Sequence, residues 1–210
     1  MQLGDSQNLQ FCFLLAIISF MIRLVVFLGN YGREYEKTRH NVAWLFEQSL
    51  SLTHSLSWQK KFNGNYASTE IDGQKIYFLK PETYMNNSGL AISEIANFFK
   101  ITAEETLIIH DELELPFGTV SLKWSGGLGG HNGLRSAKAV FNTADFWRLR
   151  FGISKPTGVN IADYVLSPFS QDERGALDGV FKEAETLLAK LLHSTDPKRF
   201  LPEWAKKKVV

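Results

Sequence analysis

The sequence has little cysteine, and its charges are nearly balanced. One cysteine, Cys12, occurs in 210 residues, which excludes an internal disulfide and a zinc site built from several cysteines. This scarcity is typical of a reducing, cytoplasmic setting. The formal net charge is only +1, whereas nucleic-acid-binding domains are often strongly basic. A nucleic-acid partner would therefore need a basic patch confined to one surface.

Long apolar runs are also missing, with one short exception near the N-terminus. Residues 9–22 (LQFCFLLAIISFMI) are almost entirely apolar, but a membrane-spanning helix needs about 20 such residues. No Lys or Arg precedes Arg23, so the basic start of a secretory signal is lacking as well. Residues 1–20 are interpreted as a start before a true Met21, an added hydrophobic helix or a degenerate anchor. Residues 21–210 are interpreted as one domain.

Strand patterns alternate with helix patterns along the rest of the chain, without repeats or a low-complexity linker. Apolar, β-branched runs predict strands, and apolar residues recurring every three or four positions predict helices. Asp72-Gly73 predicts a hairpin, and the tail from Asp196 is expected to be frayed. The alternation predicts a single three-layer α/β domain with a twisted, mostly parallel mixed sheet flanked by helices. The predicted strands are Ile22–Leu28, Tyr66–Ile71, Lys75–Leu79, Thr106–His110, Thr119–Lys123 and Trp147–Ile153. A first helix is predicted to begin near Asn41. Three further helices are predicted over Leu90–Lys100, His131–Phe141 and Asp172–Leu192.

Polar residues follow several predicted strands. Asn30 comes after the first strand, Asn86 after the hairpin and Asp111 after Thr106–His110. His40 precedes the first helix, and His131-Asn132 opens a later one. Since ligands of open α/β sheets bind beyond the carboxyl ends of the strands, we expect these side chains to converge at one edge of the sheet.

His40 has two interpretations. A histidine at a helix start commonly caps the helix or packs against it. If Asp111 accepts a proton from one ring nitrogen, however, the other nitrogen can take a proton from water. An ordinary pKa would leave the ring mostly neutral at pH 7, as a base requires. Because no Ser or Cys lies in a G-x-S-x-G context, water is the expected nucleophile.

The remaining polar groups are less distinctive by themselves. Asparagines after strands are common turn formers, but they could also hold the water or stabilise an oxyanion. Residues 126–130 (GGLGG) lack the Lys-Ser/Thr of a phosphate loop, so they are interpreted as a flexible wall beside the site. His110 is expected in the core, because neighbouring strand residues face opposite sides, and no metal site is predicted. Arg148 and Arg150 share one sheet face, which is unusual unless an anion lies there or both residues sit at the exposed end of the strand.

Five motifs, in this order, closely resemble the bacterial peptidyl-tRNA hydrolase family. The resemblance covers residue 21 to the C-terminus, with two departures: Tyr31 stands where the family usually has proline, and Leu128 where histidine is frequent. The motifs are Gly29–Gly32 (GNYG), Thr38–Asn41 (TRHN) preceded by Tyr35, Tyr84–Gly89 (YMNNSG) preceded by Lys80-Pro81, His110–Leu113 (HDEL) followed by Leu115-Pro116 and Gly118, and Gly129–Gly133 (GGHNG).

The resemblance implies a monomeric esterase, without metal or cofactor, that releases the peptide from peptidyl-tRNA. It implies that His40 is the base, oriented by Asp111, and that Lys123 and Arg150 clamp the 5′ phosphate of the tRNA. It also implies a substrate-binding set made of Asn30, Tyr35, Met85, Asn86, His131 and Asn132.

A non-catalytic RNA-binding protein of the same fold is the alternative, because some plant relatives act as intron-splicing factors. Retention of His40, Asp111, Asn30 and Asn86 argues against that alternative. A phosphate-binding enzyme built on the glycine-rich segment lacks both the lysine and a metal-binding carboxylate pair.

Overall fold

The computed structural model describes residues 21–210, which fold around one eight-stranded sheet. Each predicted strand and helix is present, and most boundaries differ from the prediction by one or two residues. The strands are β1 (Leu24–Phe27), β2 (Gln59–Lys61), β3 (Gly64–Ile71), β4 (Gln74–Pro81), β5 (Thr106–Glu112), β6 (Thr119–Trp124), β7 (Trp147–Gly152) and β8 (Lys207–Lys208). The helices are α1 (Val42–Ser49), α2 (Ser51–His54), α3 (Ser88–Phe99), α4 (Asn132–Phe141), α5 (Ile161–Val165), α6 (Gln171–Leu192) and α7 (Leu201–Trp204).

The sheet is mixed, as predicted, but it is not mostly parallel, because four of its seven strand pairs are antiparallel. Its strand order is β2-β3-β4-β1-β5-β7-β6-β8. Parallel pairing is confined to the four central strands, β4, β1, β5 and β7. Antiparallel strands extend the sheet on both sides. The predicted hairpin joins β3 to β4 on one of these sides. The carboxyl ends of β1 and β5 are therefore neighbours at the centre of one sheet edge, where a ligand site is expected.

Helices cover both faces of the sheet, which gives the predicted three layers. Side chains of β1 alternate between two apolar clusters, as the two-residue period of a strand requires. Val25 and Phe27 pack in the cluster that contains α1 and α6. Leu24 and Val26 pack in the cluster that contains α3 and α4. The continuous apolar run in the sequence thus reflects a strand buried on both faces.

The start of α6 is tied to the segment that carries His40. The Ser170 hydroxyl accepts a hydrogen bond from the Glu173 amide, and the Glu173 side chain accepts one from the Ser170 amide. This capping box satisfies free N–H groups of the first turn. The Glu173 carboxylate also pairs with the Arg39 guanidinium at 2.7 Å. Arg39 lies over the Tyr164 ring, 4.4 Å from its centre. The backbone next to His40 is therefore anchored by contacts from α5 and α6.

The C-terminal tail is ordered, so the prediction of a frayed end was wrong. After a 3-10 turn at Pro197–Phe200 come α7 and β8, which pairs with β6. Trp204 is fully buried, and the Lys207 ammonium lies 4.2 Å from the centre of its ring. An aromatic anchor of this size offsets the entropy lost on ordering the chain end.

Residues 1–20, the predicted extension, lie outside the described residues. Across residues 21–210, no helix combines the length and the apolar character needed to cross a membrane.

Candidate active site

A cavity of about 690 Å³ opens at the carboxyl ends of β1 and β5. Asp111 reaches it from β5, and His40 from the 3-10 turn that leads into α1. His131 reaches it from the N-cap of α4. The convergence expected from the sequence is thus present, because eight of the ten predicted site residues line the cavity: Asn30, Tyr35, His40, Met85, Asn86, Asp111, His131 and Asn132.

One carboxylate oxygen connects the two histidines. Asp111 Oδ1 lies 2.8 Å from His40 Nδ1 and 3.0 Å from His131 Nε2. Asp111 is only 3% exposed, so water contributes little to satisfying this oxygen. The rings of His40 and His131 lie 4.8 Å apart between centres. The three side chains therefore form one compact hydrogen-bonded group.

The hydrogen bonds around His131 determine which ring nitrogens carry protons. His131 Nδ1 accepts from the amides of Gly133 and Leu134 at 3.2 and 3.4 Å, so its proton sits on Nε2 and is donated to Asp111. His40 donates its Nδ1 proton to the same oxygen, because an ionised carboxylate only accepts. Nε2 of His40 is then left with a lone pair, which is the form that a general base needs.

Burial and charge act in opposite directions on the pKa of His40. Burial lowers this pKa, but the charge of Asp111 and its hydrogen bond outweigh burial and raise it above the ordinary value. The ring is therefore less neutral at pH 7 than the ordinary pKa assumed from the sequence implies. For Asp111, burial raises the pKa, but the two histidines and their hydrogen bonds hold it far below its usual range. Asp111 consequently stays ionised at neutral pH.

His131 and His110, the other two histidines near the cavity, remain uncharged. Burial lowers the pKa of His131, against the opposing effect of Asp111. His110 is buried, as expected, and its Nδ1 donates to the Asp111 carbonyl oxygen at 2.6 Å. Burial and the neighbouring His131 hold the pKa of His110 well below its ordinary value. A neutral His131 can orient Asp111 without adding a competing positive charge beside His40.

The ligand atoms of His40, Asp111 and His131 lie within 4.8 Å of one another, which raises the question of a metal. A histidine binds a metal through a nitrogen lone pair. Nε2 of His131 carries a proton because Nδ1 accepts two backbone amides. The hydrogen-bonding pattern thus fits a proton-transfer group better than a metal centre, and the prediction of no metal stays a prediction.

Asn30 is held in one orientation by its neighbours. Its side-chain oxygen accepts from the Met85 amide at 2.8 Å, so its Nδ2 is the group available to a ligand. Asn41 fixes the Asn30 backbone by accepting from its amide at 2.8 Å and donating to its carbonyl at 2.9 Å. Gly29 precedes Asn30, and a Cβ there would lie 2.5 Å from the Trp44 indole nitrogen. Tight packing therefore positions a carboxamide donor at the cavity wall.

The sequence interpretation missed Asn41. This residue is completely buried, yet both ends of its carboxamide are satisfied by the Asn30 backbone. Buried polar groups that are fully hydrogen-bonded specify one local geometry. The signal in the sequence was an asparagine directly before the apolar start of a helix, which is indistinguishable from an ordinary cap.

The rim of the cavity is aromatic and polar. The rings of Tyr35 and Tyr84 pack edge to face with their centres 6.5 Å apart. Tyr84 is 60% exposed, and Asn86 and Asn132 are also exposed. The Asn132 side-chain oxygen accepts a hydrogen bond from Arg135. These groups can meet a ligand that projects out of the cavity.

Lys123 and Arg150 lie outside the cavity, in a cation cluster that also contains Arg148. Lys123 is opposite Arg148 in the β6–β7 pair. Arg150 pairs with Glu112 at 3.2 Å and donates to the Ser121 hydroxyl at 2.7 Å. Burial and the nearby Arg150 and Arg148 lower the pKa of Lys123, although Glu112 opposes them. The crowding of like charges indicates a surface that would be stabilised by an anion.

The glycine-rich segment serves two purposes. The carbonyls of Gly126 and Gly127 accept hydrogen bonds from Arg148 at 2.8 and 2.7 Å, so this part holds a guanidinium rather than a phosphate. Burial, more than the repulsion from Arg150, lowers the pKa of Arg148 to about 10. Gly129 and Gly130 line the cavity. The expected wall beside the site is therefore present.

Glu112 is the second residue that the sequence interpretation missed. It lines the cavity and also pairs with Arg150 in the cation cluster. Its other oxygen accepts from the Glu114 amide at 3.2 Å. The position directly after Asp111 was the available signal, but only the fold shows that Glu112 connects the two regions.

Known proteins with matching sequences and structures share this architecture. The family model described as peptidyl-tRNA hydrolase matches residues 24–209. A peptidyl-tRNA hydrolase of Treponema pallidum is 47% identical over 196 residues, which cover 90% of this chain and 97% of that protein. One of Desulfitobacterium hafniense is 42% identical over 173 residues, covering 80% and 94%.

Solved structures agree with these sequence matches. A crystal structure of peptidyl-tRNA hydrolase in complex with N-propanol superposes with a TM-score of 0.80 at 33% identity, covering 89% of this chain and 95% of the other. The Acinetobacter baumannii peptidyl-tRNA hydrolase superposes with a TM-score of 0.77 at 34% identity, covering 89% and 93%.

Proposed function

The chain belongs to the peptidyl-tRNA hydrolase family, and we propose that His40 and Asp111 carry out its reaction, the hydrolysis of the ester between a peptide and tRNA. The observation that carries this assignment is the single Asp111 oxygen that lies within hydrogen-bond distance of His40 and His131 inside the cavity. That arrangement leaves one basic nitrogen, His40 Nε2, among the three groups.

Water is the nucleophile in the proposed mechanism. His40 Nε2 takes a proton from a water molecule while the oxygen of that water attacks the ester carbonyl carbon. Asp111 stabilises the imidazolium that forms, and His131 holds Asp111 in place. The tetrahedral intermediate then breaks its bond to the tRNA 3′ oxygen, which receives the proton from His40. The products are a tRNA with a free 3′ hydroxyl and a peptide carboxylic acid, which releases its proton to water and becomes a carboxylate.

Asparagine side chains stabilise the negative charge that develops on the carbonyl oxygen. Asn30 is the main donor, because the Met85 amide holds its oxygen and leaves its Nδ2 for the substrate. A carboxamide donates without titrating, so this contribution does not change with pH. Asn86 and Asn132 at the rim bind the 3′ end of the tRNA. Met85 and Tyr35 contact the peptide and the terminal adenosine.

The cation cluster holds the 5′ end of the tRNA, at the same end of the stem as the 3′ ester. Lys123 and Arg150 bind the 5′ phosphate, and Glu112 presents the Arg150 guanidinium through an ion pair at 3.2 Å. Peptidyl-tRNA is the partner of this chain, which we propose acts as a monomer in the cytoplasm, where translation supplies the substrate. No cofactor takes part in the proposed reaction.

The test compares hydrolysis of N-acetylated aminoacyl-tRNA by the wild type, by His40→Ala and by His54→Ala. His54 is an exposed histidine at the end of α2, so its replacement is a matched control. We expect His40→Ala to fold normally and to lower kcat/KM by about 10³-fold or more, because the base is removed. The control should keep full activity.

Two outcomes would contradict the proposal. Retention of most activity by His40→Ala would exclude His40 as the base. A wild type that binds tRNA without cleaving the ester would favour the alternative, a non-catalytic RNA-binding relative.

A further inference from the structure

The C-terminal segment around β8 adds two lysines, Lys206 and Lys208, beside the cation cluster. β8 pairs antiparallel with β6, and Lys207 lies opposite Val120. The Lys207 side chain faces α6, since it pairs with Glu183 at 2.6 Å and lies over the Trp204 ring. Val120 also packs in the cluster beneath α6. The direction of Lys207 is therefore determined by two separate contacts and by the register.

Lys208 follows Lys207 in β8 and so projects to the opposite face, because strand side chains alternate. Lys208 lies opposite Thr119, which is on the same face of β6 as Ser121 and Lys123. That face is also the one from which Arg150 reaches the Ser121 hydroxyl. Lys208 thus continues the row of cations across the edge of the sheet, and Lys206 lies in the bend directly before β8.

A hydrogen-bond chain ties this segment to the cation cluster. Arg150 donates to the Ser121 hydroxyl, and that hydroxyl donates to the Ala205 carbonyl. Ala205 immediately precedes Lys206, so the lysine backbone is anchored next to the cluster. The ordered tail is consequently a fixed part of this surface.

Lys206 and Lys208 are exposed, and within residues 21–210 the structure pairs no carboxylate with either of them. Glu112, the carboxylate inside the cluster, is already paired with Arg150. Although the net charge of the whole chain is only +1, positive charge is thus concentrated at β7, β6 and β8, on one side of the sheet. Such a row attracts a repeating polyanion more strongly than a single small anion.

Building on the proposed function, we propose that Lys206 and Lys208 bind backbone phosphates of the double-helical tRNA stem that ends at the 5′ phosphate. This surface begins where the Lys123–Arg150 clamp ends. It contacts phosphates rather than base edges, so its contribution is independent of sequence and sensitive to salt.

The experiment uses the double variant Lys206→Gln/Lys208→Gln in the full chain. The control is Lys60→Gln/Lys75→Gln, which removes the same charge from exposed lysines in the antiparallel extension on the other side of the sheet. Lys207 is retained because it anchors β8. Steady-state hydrolysis of N-acetylated aminoacyl-tRNA is measured at several salt concentrations, together with binding of a deacylated RNA hairpin by fluorescence anisotropy.

We expect the KM of the double variant to rise about fivefold at low salt with an unchanged kcat, and the Kd for the hairpin to rise similarly. The slope of log(kcat/KM) against log[salt] should become less negative by about 1.4–1.8, since each lost phosphate contact removes ~0.7–0.9. The control should match the wild type.

An unchanged KM, hairpin Kd and salt slope in the double variant would overturn the inference. The inference would also be overturned if the double variant lost binding to anionic lipid vesicles while its hairpin Kd stayed constant. The two lysines would then bind a membrane surface rather than RNA. If the wild type itself fails to cleave the ester, the proposed function fails, and the hairpin Kd of the double variant still decides this inference.

Discussion

Asp111 and Glu112 are consecutive buried carboxylates that line the same cavity, yet their partners differ in kind. Asp111 is bonded to two histidines, of which His40 can gain or lose a proton near neutral pH. Glu112 is paired with the guanidinium of Arg150, which only donates hydrogen bonds. The first arrangement suits proton transfer, and the second suits a fixed electrostatic contact with the substrate. Two neighbouring residues of one strand thus connect chemistry with binding.

The strongest test of this comparison is the isosteric change Asp111→Asn. We expect kcat to fall by about 10²–10⁴-fold, because the amide cannot stabilise the imidazolium and can select the wrong tautomer of His40. KM should change little. Single-turnover hydrolysis of N-acetylated aminoacyl-tRNA measures the chemical step directly, and a kcat within threefold of the wild type would break the assignment of Asp111.

The pH profile sharpens the same point. Protonated His40 cannot act as a base, so kcat/KM should rise as pH increases through the pKa of His40. Asp111 raises this pKa against the effect of burial, so the acid limb of the wild-type profile should lie above the ordinary pKa of histidine. In Asp111→Asn the opposing burial remains, and the limb should move to lower pH. A limb in the same place in both proteins would show that another group limits the rate.

The matching change at the neighbouring position, Glu112→Gln, should act mainly on binding. Losing the negative charge frees Arg150 from its ion pair and weakens the clamp, so KM for full-length tRNA should rise about three- to tenfold with kcat within about twofold. Glu114→Gln is the control, since its pair with Lys155 is exposed. A kcat loss as large as that of Asp111→Asn would remove the distinction between the two carboxylates.

The smallest effect on activity is expected at Asn41, a buried polar group with no charge. Replacing Asn41 with Ala leaves the amide and carbonyl of Asn30 without partners, which costs about 1–3 kcal/mol in the free energy of unfolding. The activity of the folded fraction should fall less than in Asp111→Asn. Urea denaturation followed by circular dichroism measures the first quantity, and a change below 0.5 kcal/mol, on the order of surface substitutions, would contradict the role given to these bonds.

Local sequence patterns predicted the fold well where burial on both faces of a strand, or a tight turn, is sufficient to explain the residue types. The run at β1 is apolar throughout because both faces of that strand are covered, and Asp72-Gly73 forms the hairpin turn, with positive φ at both residues. The tail was mispredicted because its short elements depend on Trp204 entering the core. Two aromatic residues, Phe200 and Trp204, in a basic segment give no periodic signal, so only packing against the rest of the domain reveals their role.

The residues of the candidate site could be predicted from strand ends and motifs, but their interactions could not. The sequence shows that Asn30 and Asp111 follow predicted strands and that His40 precedes a predicted helix. These positions were sufficient to predict that the three side chains meet at one edge of the sheet. The proton positions on His40 and His131, and the direction of the pKa of His40, depend on distances between segments far apart in the chain.

By itself, the sequence determined the order of six strands and four helices along the chain. It also determined the two-sided burial of β1 and the presence of carboxamides, a carboxylate and imidazoles at the ends of these elements. Apolar periodicity and the geometry of parallel strands are sufficient for that much. Only the tertiary structure decided that Glu112 joins the cavity to the cations and that pairing of β8 with β6 places Lys208 beside them. These relations depend on strand register and long-range packing, because a shift of one residue would turn each of these side chains to the opposite face.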